Sequence, residues 1–499
     1  MNAKPGRHLL ALHLLALALL TACAPLGRLE KPATAEIDLP ELQRRIDTIL
    51  QDSVLAHSRV GIKIVSLASG QTVYEKNSHL LFHPASNMKL LTTATALTRL
   101  GTNFTFKTIL YADTAAVFDS VIVGNLYLKG FADPELSLTD LAWMAQQLKK
   151  KGIRRITGDL VCDDTTLDEL YRGAGWMWDD ASSWYYAPIG ALTVNDNCVT
   201  VAVKPGARVG DSLQVRLDPP TAYMKVANLG LTVDSLDTIH IKKFKVQRKW
   251  ITPENTVVIS GGLPPGAKER RYVIDVVNPT LFTGTLFAEA LEREAIELSG
   301  QIVAGELPDT NVVLVTHLSQ PLASVVRNTN KISDNLSAEL ILKTVGAELK
   351  GTPGTAKKGL AVVKEFLHEA GVDTTALSLA DGSGSSRYNQ ISPDHIMKVL
   401  QAMHKDFRLQ AEFKASLPIA GVDGTLRHRM KTTPAEGKLR AKTGNLRGVS
   451  ALSGYTTTAT GELLAFAMIM EHFVARNALV KQVQDRIGSV ISGMGDTSK

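Results

Sequence analysis

Three short motifs, Ser86-Asn-Met-Lys89, Ser333-Asp334-Asn335 and Lys442-Thr443-Gly444, follow one another along a 499-residue chain, with Ser86 and Ser333 separated by 247 positions. If they serve one site, the fold must bring together segments that the chain keeps far apart, and the long gap must be spent elsewhere. A Ser-x-x-Lys arises roughly once or twice by chance in a chain this long, and Ser-Asp-Asn or Lys-Thr-Gly on the order of a tenth of a time each. The combination is therefore informative where each motif alone is weak. Its chemistry is coherent. A serine hydroxyl is a poor nucleophile until a base takes its proton, and a lysine kept neutral by its surroundings can be that base. Pro84-Ala85 leads into an apolar run (Met88, Leu90, Leu91, Ala94, Leu97) that reads as a helix with Ser86 in its first turn. Residues three apart are neighbours on a helix, so Ser86 and Lys89 are expected to face one cleft.

The length exceeds one ordinary domain, and with 44% hydrophobic residues the chain can bury more than one core. Lys4 and Arg7 precede an apolar stretch from Leu9 to Leu20, too short for a mature membrane span and readable as a secretory leader. Leu20-Thr21-Ala22-Cys23 is similar to a bacterial lipobox, which predicts a leader over 1–22, a lipid on Cys23 and a tether over 23–35; the alternative is cleavage after Ala24, just before Pro25. Either way the protein is expected in the periplasm or cell envelope. Only Cys162 and Cys198 remain, too few for a disulfide scaffold, and both a disulfide and two free thiols fit the sequence. Neither has metal-site spacing, and no metal or cofactor is expected. The formal charge of +6 drops to +4 without Lys4 and Arg7, and no run of like charge points to nucleic acid.

Gly61–Val65 and Gln71–Tyr74 read as a β-hairpin, Val449–Tyr455 and Leu463–Met470 as a second strand pair, and Leu479 to Ile491 as a helix. Between about Thr102 and Ser299 the texture changes to short β-type runs, among them Asn125–Leu128, Thr238–Lys242 and Asn255–Ile259, punctuated by Gly and Pro clusters. The expected plan is a discontinuous domain over 36–101 and 300–499, an inserted domain over 102–192 and 268–299, and a further domain nested within it over 193–267.

The three motifs form the signature of penicillin-binding proteins and class A β-lactamases. Trp176-Met-Trp-Asp-Asp180, Tyr185–Leu192 running on to Asn195–Asn197, Asp381-Gly-Ser-Gly384 with Arg387, and Leu417–Thr425 narrow this. With them, nearly the whole chain after the leader resembles the D-alanyl-D-alanine carboxypeptidase/endopeptidase family, the class C low-molecular-mass penicillin-binding proteins of peptidase family S13. The resemblance implies an α+β fold: a penicillin-binding/β-lactamase-like transpeptidase domain, an antiparallel sheet flanked by helices, interrupted by inserted β-rich domains. It implies Ser86 as nucleophile, Lys89 as base with Lys442 as a cation beside it, Ser333 as proton relay, and Asn335 bonding both Lys89 and substrate. Lys442 and Thr443 would hold a terminal carboxylate on an edge strand, with Gly444 permitting close approach and the backbone N–H groups of Ser86 and Asn445 forming the oxyanion hole. Asn445 departs from the commoner threonine. Trp176, Asp179 or Asp180, and Arg387 would read a diamino-acid side chain of the substrate. The implied partners are peptidoglycan peptides ending in D-Ala-D-Ala or carrying D,D-cross-links, β-lactams as covalent inhibitors, and a membrane reached through the lipid.

A β-lactamase is disfavoured by the lack of a Glu-x-x-Leu-Asn segment and by the insertions. A catalytically weak peptidoglycan-binding protein conflicts with the intact Ser86, Lys89, Ser333, Asn335 and Lys442. A Ser-Lys esterase or amidase conflicts with the expected Lys442-Thr443 carboxylate clamp.

Overall fold

The computed structural model describes residues 39–113, 117–249 and 251–495. The expected leader, tether and Cys23 lie outside the described residues. Among those residues no helix is long and apolar enough to cross a membrane.

The two chain ends build one antiparallel sheet. Its strands are β1 (Arg59–Ser66), β2 (Thr72–Lys76), β3 (Arg440–Leu446), β4 (Val449–Thr457) and β5 (Leu463–Glu471), ordered β2-β1-β5-β4-β3. β5 is apolar from Leu463 to Met470 because both of its faces are covered. Side chains alternate across a strand, so Ala465, Ala467 and Ile469 join one hydrophobic cluster while Leu464, Phe466, Met468 and Met470 join another. The first cluster takes the apolar face of α2 (Met88–Leu100) together with α3 (Asn335–Lys350). The second takes α1 (Leu39–Leu50) and α4 (Asn477–Ser492), whose Leu42, Ile46, Val480, Val483, Ile487 and Ile491 recur at helical spacing. Leu90 and Leu91 of α2 are wholly buried, worth about 1.5–3 kcal/mol each. α2 therefore lies fixed under the sheet, with its first turn at the edge strand β3.

The insertion differs from expectation at its edges. Its five-stranded sheet runs Ile302–Ala304, Leu160–Asp163, Leu126–Gly130, Lys107–Asp113, Asn311–Leu318. The two strands expected inside the domain resuming at residue 300 thus complete the insertion's sheet instead, one parallel to Leu160–Asp163 and one antiparallel to Lys107–Asp113. Likewise Arg270–Asp275, expected beyond the nested domain's end at 267, pairs with Cys198–Lys204 inside it. The nested strands and the surrounding insertion also share one hydrophobic cluster, from Leu110 and Leu128 through Val199 to Ile259 and Phe287. Thr238–Lys242, expected as a strand, is a one-turn helix: the Asp237 side chain accepts from the His240 N–H at 3.0 Å and closes the turn. Cys162 and Cys198 are buried free thiols.

Candidate active site

Ser86 sits in a single 3₁₀ turn, Ala85–Asn87, feeding directly into α2, so the Ser86–Lys89 spacing is realised as expected. Lys89 is fully buried. Its Nζ lies 2.6 Å from Asn335 Oδ1, 2.8 Å from Ser383 O and 3.1 Å from Ser86 Oγ. The orientation of the Asn335 amide is set by its other bonds, since Nδ2 donates to Tyr185 O and Ser385 Oγ. Two of the three partners of Nζ therefore only accept. A neutral amine spends its two N–H groups on them, which leaves its lone pair directed at Ser86. Burial holds the Lys89 ammonium down to about 8 against the opposing pull of Asp334, Asp381 and Glu339. Burial, rather than the expected charge of Lys442, is the leading cause.

Lys442, also fully buried, donates to Ser333 Oγ at 2.7 Å and to Thr443 O at 3.0 Å. It too is held well below an ordinary lysine, by burial first and by the Lys89 charge second. Two charges in one desolvated site oppose each other, so protonating either lysine disfavours the other. Ser333 is not the helix cap that its position before α3 allows. Asp334 is, accepting from the Leu336 and Ser337 N–H groups at 3.1 Å each. Ser333 instead takes a positive φ (66°) at the end of a π turn, and Ala85, just before Ser86, has φ 47°. Non-glycine residues held there by their surroundings mark local strain at a site.

β3 is the edge strand, as expected for Lys442-Thr443-Gly444. Antiparallel strands turn successive N–H groups alternately inward and outward. Ala441 N donates outward to Pro418 O, so the N–H groups of Thr443 and Asn445 point the same way, into the cleft. Thr443 Oγ1 is bonded to Thr425 Oγ1 at 2.8 Å. At Gly444 a Cβ would stand 2.8 Å from Pro84 O and 3.1 Å from the Ala85 Cβ. The glycine thus lets the Ala85–Asn87 turn approach β3, in addition to any close approach of substrate.

A cleft of about 780 Å³ joins these groups, with Ser86, Ser333, Asn335, Thr443 and Asn445 in its walls. The insertion supplies the opposite wall. Trp176 there is anchored: its indole N–H donates to Asp381 Oδ2 at 2.9 Å and its ring leans on Tyr186 at 5.4 Å. Asp180 accepts from the Tyr185 hydroxyl at 3.3 Å and is raised above the usual carboxylate range, by burial first. Asp179 is exposed, and Arg387 donates to Arg447 O at 2.7 Å. All four line the cleft. Sequence reasoning gave no role to Asp381, Ser383, Ser385 or Thr425, although their motifs were visible, and it passed over Glu339, whose one signal is a lone carboxylate within the apolar run Leu336–Leu342.

Ser86 sharing a buried lysine with Asn335, beside an edge strand with outward N–H groups, on a helix-flanked antiparallel sheet, is the arrangement of a serine hydrolase of the Ser-Lys class. The model of the D-Ala-D-Ala carboxypeptidase 3 (S13) family matches residues 42–490, and the chain belongs to that family. It is 37% identical over 457 residues to a D-alanyl-D-alanine carboxypeptidase of Actinomadura sp. (strain R39), covering 88% of this chain and 83% of that protein. It is 27% identical over 444 residues to the Haemophilus influenzae D-alanyl-D-alanine carboxypeptidase DacB, covering 89% and 90%. The crystal structure of penicillin binding protein 4 from H. influenzae superposes with a TM-score of 0.78 at 26% identity, over 89% of this chain and 97% of that one. A second crystal structure of that protein, complexed with a β-lactam, has a TM-score of 0.72.

Proposed function

We propose that this protein removes the terminal D-alanine of peptidoglycan stem peptides through an acyl-enzyme on Ser86 and also opens D,D-cross-links. The observation that carries the reading is the Lys89 amine, 3.1 Å from Ser86 Oγ with its other two partners acceptors. Neutral Lys89 takes the Ser86 proton as Oγ attacks the carbonyl between the two D-alanines. The developing oxyanion is met by the N–H groups of Ser86 and Asn445. Ser333, bonded to Lys442, passes a proton to the leaving amine; D-alanine departs and water then releases the acyl group. Lys442 and Thr443 hold the terminal carboxylate, and Asn335 bonds the peptide backbone. Cleavage of cross-links requires room for a second peptide, which a cleft of about 780 Å³ offers. Asp179 or Asp180 would pair with an ammonium and Arg387 with a carboxylate of the diamino acid, with Trp176 as the wall between them. A β-lactam, whose strained amide meets the same serine, acylates the enzyme and blocks it.

The test is covalent labelling by fluorescent penicillin and D-alanine release from a muropeptide pentapeptide, with Ser86→Ala beside the wild type. Loss of both in Ser86→Ala is expected; labelling that survives it rejects Ser86 as the nucleophile. For location, we infer an exported protein held by a lipid on Cys23, which predicts partition into detergent that Cys23→Ala abolishes.

A further inference from the structure

Lys89 finds its base geometry through Ser383 O, so whatever holds the 381–384 loop also aims the base. Glu339 does much of this. Its carboxylate, wholly buried in α3, accepts from the Gly382 N–H at 3.0 Å and from the Ser383 N–H at 2.8 Å. Asp381 braces the loop from the other end, accepting from Gly384 N at 2.8 Å and Ser386 N at 2.7 Å. Thr92 Oγ1 on α2 donates to Gly382 O at 2.7 Å. The peptide joining Gly382 and Ser383 is therefore held between α3 and α2, and the next carbonyl along is the one that accepts from Lys89. A buried carboxylate with no cation bonded to it is costly unless its hydrogen bonds are needed where it stands.

We propose that Glu339 is a positioning residue for the Ser86 reaction: it clamps the Gly382 and Ser383 amides so that Ser383 O directs Lys89 at the nucleophile, and its charge adjusts the proton affinity of Lys89. The inference rests on the Ser86–Lys89 reading above. Four charged groups face Lys89: Glu339 from α3, Asp334 from its cap, Asp381 from the loop and Lys442 from β3. Burial, with Asp381 beside it, raises Glu339 above an ordinary carboxylate, against the Gly382 and Ser383 N–H groups that hold its charged form; ionised, it adds to the pull that keeps a proton on Lys89. Removing that negative charge makes the Lys89 ammonium easier to deprotonate. The acid limb of the acylation profile must then move to lower pH.

The experiment measures the second-order rate of acylation by fluorescent penicillin between pH 5 and 10 for the full chain, Glu339→Gln and Glu339→Asp, with thermal melting as the control for folding. For Glu339→Gln, whose amide accepts with one atom instead of two and carries no charge, we expect a rate loss of about 10-fold or more and an acid limb displaced downward. For Glu339→Asp, which keeps the charge but reaches one methylene less, we expect the rate loss with the limb near its wild-type position. A folded Glu339→Gln protein whose limb stays in place, or a folded Glu339→Asp protein at the wild-type rate, overturns the proposal; should one variant not fold, the other decides. Failure of the underlying reading looks different, because the wild type itself would then not label or Ser86→Ala would still label.

Discussion

Gly384 is the position where a single methyl group should do most damage to the reaction. Its φ is 84°, and a Cβ there would fall 1.8 Å from Ala85 O and 2.4 Å from Ala85 C, against about 3.5–4.0 Å for unstrained heavy-atom contacts. Both obstacles are backbone atoms, and they belong to the residue before Ser86. No rotamer change relieves the overlap, so the 382–384 loop, the Ala85–Asn87 turn, or both must move by more than an ångström. The left-handed conformation adds roughly 1–2 kcal/mol for a residue with a Cβ, and forced repacking typically adds 1–3 kcal/mol, giving a stability loss of about 2–5 kcal/mol. The kinetic effect follows from what moves: Ser86 on one side and Ser383 O, which aims Lys89, on the other. A misplacement of about 1 Å costs on the order of 10²-fold in rate. Gly384→Ala should therefore acylate with fluorescent penicillin about 10²-fold or more slowly at 20 °C, with its melting temperature lowered but still above the assay temperature. Acylation within about threefold of wild type in a folded protein would refute the argument, since the loop and the nucleophile turn would then not be sterically locked together.

Three further outcomes can be checked. Acylation requires neutral Lys89, whose folded value of about 8 is depressed by burial, so the rate should rise with pH through about 8 and fall about tenfold per unit well below it; a profile flat from pH 5 to 9 contradicts this. Trp176→Phe, which keeps an aromatic ring but removes the indole N–H and leaves Asp381 Oδ2 one donor short, should cost about 1–3 kcal/mol in chemical denaturation, and an unchanged denaturation midpoint would show that the Trp176–Asp381 bond is energetically idle. Cys162 is pushed up to about 12 by burial and Cys198 is raised by the same cause; both should resist Ellman's reagent in the native protein and react in denaturant, and fast native reaction would mean that this core opens readily.

The chemistry was legible in the sequence because it is written in short spacings. Three residues on a helix bring Ser86 to Lys89, a relation settled within one turn of backbone, whereas the strand position of Lys442-Thr443-Gly444 was what the family resemblance implied. The continuous apolar run of β5 likewise announced a strand covered on both faces. Only the tertiary structure decided which sheet the strands Ile302–Ala304 and Asn311–Leu318 join, because pairing is set by hydrogen bonds to segments 142 to 211 residues away in the chain. It also decided that Asp334 rather than Ser333 caps α3, that Gly444 makes room for the Ala85–Asn87 turn, and that burial more than a neighbouring cation lowers the proton affinity of Lys89. Glu339 reads in sequence as one acidic residue among leucines, and its meaning comes from a loop that returns 43 residues later to place two amides against it. Desolvation and steric locking belong to the packed site, since they depend on atoms brought together from distant parts of the chain; residue type and local period are properties of the chain itself, and they point to a serine acyl-enzyme, while the resemblance to a known family supplied the D,D-peptidase reaction.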